Sequence, residues 1–406
     1  MVPKGWQKFA VGELCTSIVP GRNKPKVFDG DIPWVTTPEI NGRYIPSKLQ
    51  VNYVSTTALS DAGGKIVPKG AVVMAAVGEL GLIAITSEPV VLNQQLHAFV
   101  CSKLVNNEFL AYWLTTQKPY MESIASKTTI PYMNKTNCES IPVLLPPLAE
   151  QFKIAQILST WDKAISVTEK LLTNSKQQKK ALMQQLLTGK KRLLDENGVR
   201  FSGEWKITKL IQMGKVVSGG TPDTNMAMYW DGDILWLTPT DVTALTGRFV
   251  SNTSRKITPA GLLNSSAVLL PKGSLMVCTR ATIGALAIST SEICTNQGFK
   301  NIIPNEGFNI EFIYYLLQMN TNEMIKKSSG STFLELSKKD FETLSFSCPF
   351  IKEQQKIAAV LSAADTEIST LEKKLACLKE EKKALMQQLL TGKRRVKVEA
   401  EEAVSV

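Results

Sequence analysis

The chain has 406 residues, of which 44% are hydrophobic, and it carries a formal net charge of +11. The length predicts two to three domains, and the positive charge favours a polyanionic partner, usually nucleic acid. No apolar run reaches the roughly 18 residues that a membrane span needs, and the first residues lack an apolar signal-peptide core. Seven scattered cysteines predict reduced thiols and a cytoplasmic protein. The single histidine, His97, excludes a His-rich metal site and is predicted to be structural.

In chain order, residues 1–145 are predicted to form a domain of mixed strands and short helices. Two short apolar runs, at residues 71–75 and 82–85, are typical of buried strands separated by a glycine-containing turn. Residues 109–121 have the spacing of an amphipathic helix. Prolines within residues 142–147 indicate the end of this domain.

The second half repeats this order. Residues 274–278 and 285–288 are predicted as buried strands, and a helix is predicted near residues 311–319. Pro349 then marks the end of the second globular domain. Both halves therefore have the same plan, although their globular sequences differ freely.

A helical segment follows each proline-marked boundary. In both segments the residues of one stripe alternate at intervals of three and four, which is the spacing of a coiled-coil seam. The C-terminal seam consists of Ile368, Leu371, Leu375, Leu378, Lys382, Leu385 and Leu389. The more polar first seam consists of Ile165, Thr168, Leu172, Ser175, Lys179, Leu182 and Leu186. We expect the two helices to pair in an antiparallel arrangement, with a globular domain at each end.

The predicted helix over residues 162–187 stops at a Thr-Gly pair, and so does its C-terminal counterpart. Glycine is favoured at the left-handed position after a helix. Basic residues follow each glycine, where they suit the negative end of the helix dipole.

The helical segments are also nearly identical in sequence. Residues 179–192 return as residues 382–395, and thirteen of the fourteen positions are the same. Residues 150–155 and Asp162 have counterparts at the same offset of 203. A two-helix seam does not explain why exposed residues match, so we favour two copies of one partner, one on each half. The alternative is a small helical bundle whose remaining faces are buried internally.

Motifs for catalysis are missing from the sequence. It contains no GxxxxGK[ST] loop, no GxGxxG between a strand and a helix, and no Asn/Asp-Pro-Pro-aromatic tetrapeptide. A Ser-His-Asp or Cys-His site would need His97, which no nucleophile motif surrounds. The chain is therefore interpreted as a binding protein without catalytic residues or metal ligands.

Three sets of motifs carry a family resemblance. Leu-Pro-Pro-Leu-Ala-Glu-Gln stands at residues 145–151, and Leu-Met-Gln-Gln-Leu-Leu-Thr-Gly ends both helical segments. Gly-Gly-Thr-Pro at residues 219–222 precedes Gly-Asp-Ile-Leu-Trp at residues 232–236. Over essentially its whole length the chain resembles the specificity subunits of type I restriction-modification systems, the family often called HsdS.

The resemblance implies an α+β fold with pseudo-twofold symmetry. Two target-recognition domains of mixed α/β structure would be joined by two long antiparallel coiled-coil helices. The implied boundaries are a first recognition domain at 1–147, a central spacer and docking region at 148–195, a second recognition domain at 196–350, a C-terminal spacer and docking region at 351–395, and a tail predicted to be disordered at 396–406.

The resemblance also implies a function and partners. Each recognition domain would read one half of a bipartite sequence in double-stranded DNA. Two modification (M) subunits with adenine-N6 methyltransferase activity would dock on the helical regions, and restriction (R) subunits would join them. S-adenosylmethionine, ATP and Mg are then expected on the partner subunits, and no cofactor is expected on this chain.

Contacts with DNA are expected from loop residues that reach base edges or phosphates. In the first domain the candidates are Arg22, Lys24, Lys26, Arg43, Lys48, Asn93 and Gln94. In the second domain they are Thr221, Arg248, Arg255, Lys256, Arg280, Asn296, Gln297 and Lys300. Each could instead be a solvated loop residue. The two Asn-Gln pairs could also be buried supports of a common fold, because bases read by two domains should differ.

Docking of partners is predicted on exposed faces of the helical segments. The candidates are Glu150, Gln151, Gln184, Gln185, Glu353, Gln354, Gln387 and Gln388. Two rival interpretations remain: a symmetric protein-binding scaffold with no DNA specificity, and an enzyme that cuts or modifies DNA alone. Salt-dependent affinity for duplex DNA in the presence of the modification subunit would argue against the scaffold.

Overall fold

A computed structural model describes residues 2–21, 23–46, 50–126, 129–330 and 334–398. The chain divides into two compact units: unit 1 comprises Met1–Val167 with Leu375–Val406, and unit 2 comprises Thr168–Lys374. Each unit thus combines a globular region with parts of two long helices. The domain boundaries expected from the sequence stay a prediction. Most of the expected disordered tail, residues 399–406, lies outside the described residues.

Unit 1 is built from short strands and helices. Its described strands are β1 (Gln7–Ala10), β2 (Cys15–Ile18), β3 (Ile32–Val35), β4 (Tyr44–Ile45), β5 (Tyr53–Val54), β6 (Ile66–Val67), β7 (Val72–Ala75), β8 (Ile83–Thr86), β9 (Val90–Leu92), β10 (Leu96–Cys101) and β11 (Pro142–Leu145). Its described helices are α1 (Val11–Leu14), α2 (Thr56–Asp61), α3 (Asn107–Thr116), α4 (Lys118–Ile124), α5 (Lys135–Glu139) and the start of α6 (Leu148–Leu186).

The strands of unit 1 form three sheets. The five-stranded sheet has the order β2-β10-β7-β8-β4, the four-stranded sheet has the order β5-β3-β9-β6, and β1 pairs with β11. Every residue of β7 is buried, as expected for a central strand of Val, Met and Ala. One face of the five-stranded sheet packs on α3, whose Phe109, Leu110 and Tyr112 are fully buried or nearly so.

Unit 2 repeats this plan. Its described strands are β12 (Lys206–Lys209), β13 (Gly214–Ser218), β14 (Trp230–Leu237), β15 (Phe249–Val250), β16 (Arg255–Ile257), β17 (Leu275–Cys278), β18 (Leu286–Ser289), β19 (Cys294–Thr295), β20 (Phe299–Pro304) and β21 (Ser345–Cys348). Its described helices are α7 (Leu210–Met213), α8 (Pro239–Thr243), α9 (Pro259–Leu263), α10 (Ile310–Met319), α11 (Thr321–Lys326), α12 (Lys338–Glu342) and the start of α13 (Ile351–Leu389).

The described sheets of unit 2 have the strand orders of unit 1, except that three strands stand in place of the four-stranded sheet. A five-stranded sheet runs β13-β20-β17-β18-β15, a three-stranded sheet runs β16-β14-β19, and β12 pairs with β21. The predicted strands at residues 71–75, 82–85, 274–278 and 285–288 are confirmed as β7, β8, β17 and β18. The same hydrophobic pattern therefore specifies the same sheet twice.

The predicted helices are confirmed with two differences. The helix expected at residues 109–121 is two helices, because Pro119 in the first turn of α4 has no N–H to continue α3. The first long helix begins at Leu148, not near residue 162, and its 39 residues span about 58 Å at about 1.5 Å per residue. Gly189 and Gly392, just beyond α6 and α13, have φ values of 71° and 69°, which confirms the predicted glycine stops.

The seam residues are confirmed to be buried or half-buried in both units. In unit 1 the start of α6 lies beside the end of α13, and Lys382 contacts Asp162 at 2.5 Å. In unit 2 the end of α6 lies beside the start of α13, and Lys179 contacts Asp365 at 2.6 Å. The helical segments are therefore antiparallel within each unit. None of the described helices combines the length and apolar character that crossing a bilayer requires.

Candidate nucleic-acid interface

The Gly-Gly-Thr-Pro motif of unit 2 is a close approach of two loops. A Cβ on Gly219 would lie 1.9 Å from the carbonyl oxygen of Asn296, so only glycine fits there. The Gly220 N–H donates to the Thr295 carbonyl at 2.9 Å, and the Gly220 carbonyl accepts from the Trp236 indole at 3.0 Å. This approach lets the Thr221 hydroxyl donate to the Gln297 side-chain oxygen.

Arg280 adjoins the same loops. A Cβ on Gly298 would lie 3.9 Å from the Cβ of Arg280 and 3.1 Å from the Asn296 side-chain oxygen. The guanidinium of Arg280 faces the Glu335 carboxylate at 3.8 Å, and both side chains are about half exposed. Four predicted residues thus lie together, and we call Thr221, Arg280, Asn296 and Gln297 the unit 2 recognition cluster.

Stacked cations distinguish the two units. In unit 2 the Arg255 guanidinium lies 3.6 Å from the Trp230 ring centroid and 5.5 Å from that of Trp236. In unit 1 the Lys24 ammonium lies 5.2 Å from the ring centroid of Trp34, the sequence counterpart of Trp236. The matched tryptophan therefore carries a cation from a different chain position in each unit, so the two surfaces present different chemistry on one framework.

The contacts between these tryptophans and the cations were not predicted from the sequence. Trp34 and Trp236 are 7% and 3% exposed, so both tryptophans of the Gly-Asp-Ile-x-Trp motifs are part of the core. In unit 1, Lys24, Asn93 and Gln94 also line one cavity of about 290 Å³. The interleaving of basic and aromatic residues was the available signal, but sequence spacing alone does not show which cation meets which ring.

The two Asn-Gln pairs divide their roles. The side-chain oxygen of Asn296 accepts from the Gly298 N–H at 2.9 Å, and that of Asn93 accepts from the Gln95 N–H at 3.3 Å. Each asparagine therefore shapes its own turn. Gln94 and Gln297 are exposed instead. The matched asparagines thus support the loops, while the glutamines lie on the surface.

Three predicted DNA contacts lie inside the units. Arg43 and Arg248 are held in ion pairs with Glu108 and Glu311, with side chains 17% and 12% exposed. Lys300 is buried in β20, and burial lowers the pKa of its ammonium. A structural role accounts for these three residues because their charged groups have internal partners or little access to solvent.

The remaining predicted DNA contacts have three different settings. Lys26 is exposed, and Lys256 is half-buried. Arg22 and Lys48 lie outside the described residues. His97 occupies the position in β10 that corresponds to Lys300, and burial lowers the pKa of its imidazole.

The docking candidates also fall into two groups. Gln184, Gln185, Gln387 and Gln388 are exposed near the ends of α6 and α13. Glu150, Gln151, Glu353 and Gln354 are at most 8% exposed. The expectation that these last four lie on an exposed face is wrong, and their match between the halves has an internal cause.

The buried glutamines join each long helix to its globular region. The Gln151 amide oxygen accepts from the Asn106 N–H at 2.7 Å, and its amide nitrogen donates to the Leu104 and Pro146 carbonyls. Gln354 makes the same three bonds with Asn309, Gly307 and Pro349. Each amide bonds to three backbone groups and is 1% exposed, so it is not accessible to a docking partner.

Each buried glutamate forms an ion pair with an arginine that was not predicted as its partner from the sequence. Arg192 donates to both oxygens of Glu353, at 2.6 and 2.7 Å. Arg395 pairs in the same way with Glu150, which also accepts from the Trp6 indole at 3.2 Å. These arginines follow the helix-ending glycines and were interpreted as dipole partners. Their match at the 203-residue offset was the signal that could have found them.

Family membership follows from a comparison with known domains. The family described as "Type I restriction modification DNA specificity domain" matches residues 3–175 and 202–380. The chain therefore belongs to this family and carries two copies of its domain.

Individual relatives agree with this membership. The type I restriction enzyme MjaIX specificity subunit of Methanocaldococcus jannaschii is 40% identical over 172 residues, which cover 42% of this chain and 40% of that protein. The EcoR124I/EcoR124II specificity subunit of Escherichia coli is 28% identical over 275 residues, which cover 64% of this chain and 63% of that protein. The matches thus span less than two thirds of these relatives.

Solved structures share the fold. The S subunit of the type I restriction-modification system from M. genitalium has a TM-score of 0.60 at 14% identity, and 96% of each chain is covered. A chain of a type I R-M system, solved to describe complex assembly and conformational transition, has a TM-score of 0.56 at 18% identity and covers 96% of this chain and 98% of its own. The expected α+β class, with two recognition domains and two long coiled-coil helices, is confirmed.

Proposed function

We propose that this protein is the non-catalytic DNA-sequence specificity subunit of a type I restriction-modification complex. The observation that carries the proposal is the presence of two DNA specificity domains on matched frameworks with different exposed polar residues. Two readers of this kind would recognise the two halves of a bipartite DNA target. The net charge of +11 supports a polyanionic partner.

In unit 2, the recognition cluster and Arg255 would form the reading surface. Arginine and glutamine side chains match the hydrogen-bonding edges of guanine and adenine. The Thr221 hydroxyl donates to the Gln297 amide oxygen, and the Arg280 guanidinium lies 3.8 Å from the Glu335 carboxylate. Side chains held by neighbours lose less conformational freedom on binding, which favours selective contacts.

In unit 1, Lys24, Lys26, Asn93 and Gln94 would contribute to the second surface. Lys24 is held above aromatic rings and adjoins the cavity that Asn93 and Gln94 line. A lysine contacts phosphates or base acceptors as a point charge. We therefore expect unit 1 to depend more on phosphate contacts than unit 2 does.

The partners are part of the proposal. Two methyltransferase subunits would dock on the exposed glutamine-bearing ends of α6 and α13, and restriction subunits would join them in the cytoplasm. Adenine methylation with S-adenosylmethionine and DNA cleavage with ATP and Mg would belong to those subunits. The long helices would act as the spacer that determines how many base pairs separate the half-sites.

Co-expression with a neighbouring methyltransferase gene tests this proposal. The genome of the host would be sequenced for N6-methyladenine, and a split motif with methylated adenines in both halves is expected. A chain carrying Arg280→Ala and Gln297→Ala serves as the comparison, because these exposed residues make few internal contacts. A well-formed complex that methylates no split motif would contradict the proposal.

A further inference from the structure

Each long helix carries one lysine and one aspartate whose conservation between the two halves is not explained by coiled-coil packing. A coiled-coil seam is normally apolar, yet Lys179 and Lys382 lie on it, and Asp162 and Asp365 match at the 203-residue offset. In unit 1 the Lys382 ammonium contacts the Asp162 carboxylate at 2.5 Å. The other oxygen of Asp162 accepts from the Tyr112 hydroxyl at 2.5 Å.

This contact continues into the globular region of unit 1. The Arg43 guanidinium lies 3.4 Å from the centroid of the Tyr112 ring and donates to the Glu108 carboxylate at 2.7 Å. Burial raises the pKa of Tyr112, so its phenol remains a proton donor. We call Arg43, Glu108, Tyr112, Asp162 and Lys382 the unit 1 hub.

Unit 2 contains a corresponding arrangement, in which the arginine approaches the aspartate instead of stacking closely on the tyrosine ring. Lys179 contacts Asp365 at 2.6 Å, and the Tyr315 hydroxyl donates to Asp365 at 2.6 Å. Arg248 pairs with Glu311 at 2.8 Å and lies 3.6 Å from Asp365. We call Arg248, Glu311, Tyr315, Asp365 and Lys179 the unit 2 hub.

Each hub connects elements of the globular region to the two long helices. The arginine precedes a short edge strand in each unit. The Arg43 carbonyl accepts a hydrogen bond from the Ile85 N–H of β8, and the Arg248 carbonyl accepts one from the Ile288 N–H of β18, both at 2.8 Å. The glutamate and tyrosine belong to α3 or α10, and the aspartate and lysine belong to the two long helices. Four elements therefore meet at one charge-balanced network.

The cationic side chains of the hubs are largely buried, and the carboxylates of Glu108, Asp162, Glu311 and Asp365 are 25–32% exposed. The side chains of Lys179, Lys382 and Arg248 are 15%, 19% and 12% exposed. Satisfied networks at low exposure have few alternative geometries, because any departure leaves a charge without its partner. By contrast, the interhelical ion pair of Lys176 and Glu372 is about half exposed.

We propose that the two hubs are positioning devices that fix the orientation of each recognition domain on the helical pair. This inference rests on the proposed DNA-reading function and adds residues that determine specificity without contacting DNA. Adding one base pair between half-sites moves one of them by ~3.4 Å and rotates it by ~35°. A stiff reader rejects such a target, whereas a loosened reader tolerates it.

The experiment uses the assembled methyltransferase complex and the split motif found by genome sequencing. Affinities are measured for duplexes with the natural gap and with gaps one base pair shorter and longer. The gap selectivity is the affinity for the natural gap divided by the affinity for a changed gap. For Asp365→Asn this ratio is expected to fall by at least about threefold relative to wild type, as coupling energies within a shared network allow. Lys179→Met provides a milder variant, because Asp365 keeps Arg248 and Tyr315.

Two controls separate positioning from stability. Lys176→Met removes an exposed interhelical ion pair and should leave the affinity ratio at its wild-type value. Lys179→Arg keeps the charge that Lys179→Met removes, so its affinity ratio should equal that of the wild type. If affinities for all gaps fall together in both hub variants, the positioning role is overturned. If the wild-type complex binds no duplex carrying the split motif, the proposed function itself is overturned. If the wild type discriminates between gap lengths and both hub variants discriminate equally well, only this inference is overturned.

Discussion

Replacing Arg192 by methionine is expected to destabilise unit 2 by about 3–5 kcal/mol, the usual cost of leaving a buried charge without its partner. The side chain of Glu353 is fully buried, and Arg192 donates to both of its oxygens. Arg192 also donates to the Gly203 carbonyl at 2.8 Å, so the same change frees one more acceptor. This loss is a large share of the roughly 5–15 kcal/mol that stabilises a typical domain.

Hydrogen exchange followed by mass spectrometry is the suitable assay, because it reports opening of each unit separately. Arg395→Met is the matched control in unit 1. Arg395 is 41% exposed and Glu150 keeps the Trp6 indole as a donor, so its loss should be smaller. Adding Glu353→Met to Arg192→Met should recover much of the stability. Equal losses for the two arginine variants, or a larger loss for Arg395→Met, would refute the reasoning.

Three further predictions concern separate parts of the chain. Asp241 caps α8 by accepting from Thr238 and Ser254; burial opposes its charge, but these hydrogen bonds outweigh burial and lower its pKa. Asp241→Ala removes these acceptors of the capping box and should cost about 1 kcal/mol at neutral pH. The stabilisation from a lowered folded-state pKa is fully present above the unfolded value of about 3.9 and is lost as pH falls through the folded value. The difference between the variant and the wild type should therefore shrink in acid, and a constant difference in denaturant titrations would be contrary evidence. A thiol reagent at pH 8 should label the exposed Cys377 first. Cys278 is buried, and burial raises its pKa to about 12, so it should react only on unfolding. Loss of the fast phase in Cys377→Ser identifies the fast site, and fast labelling of Cys278 would disprove the prediction. Lysines at Gln184 and Gln185 should reduce the number of methyltransferase subunits bound in native mass spectrometry, and an unchanged complex would remove this face from the docking proposal.

The regular elements were predictable because hydrophobic spacing specifies them locally. The seam of α13 and the paired strands β7 and β8 follow from residues that are close in sequence. The seam pattern covers only residues 165–186 of α6, whereas the helix begins at Leu148, directly after the proline-marked boundary. Its first turns are fixed by Gln151, whose partners Leu104 and Asn106 lie more than forty residues earlier in the chain.

The candidate site was predictable only in part for the same reason. Residue type put Thr221, Arg280 and Gln297 into one set of predicted DNA contacts, and the structure places them close together. Residue type could not separate them from Arg248, whose partners Glu311 and Asp365 are distant in sequence. Identical chemistry serves the surface or the interior according to tertiary partners that a single sequence does not display.

The central claim is that each unit reads one half of a split DNA target. Its most direct test compares methylated motifs in hosts that express the wild-type chain or the Arg280→Ala/Gln297→Ala variant with the same methyltransferase. The account predicts a motif relaxed in one half only, with the other half and the gap unchanged, because both substitutions lie in unit 2. Relaxation of both halves, or an unaltered motif at full methylation, would contradict it.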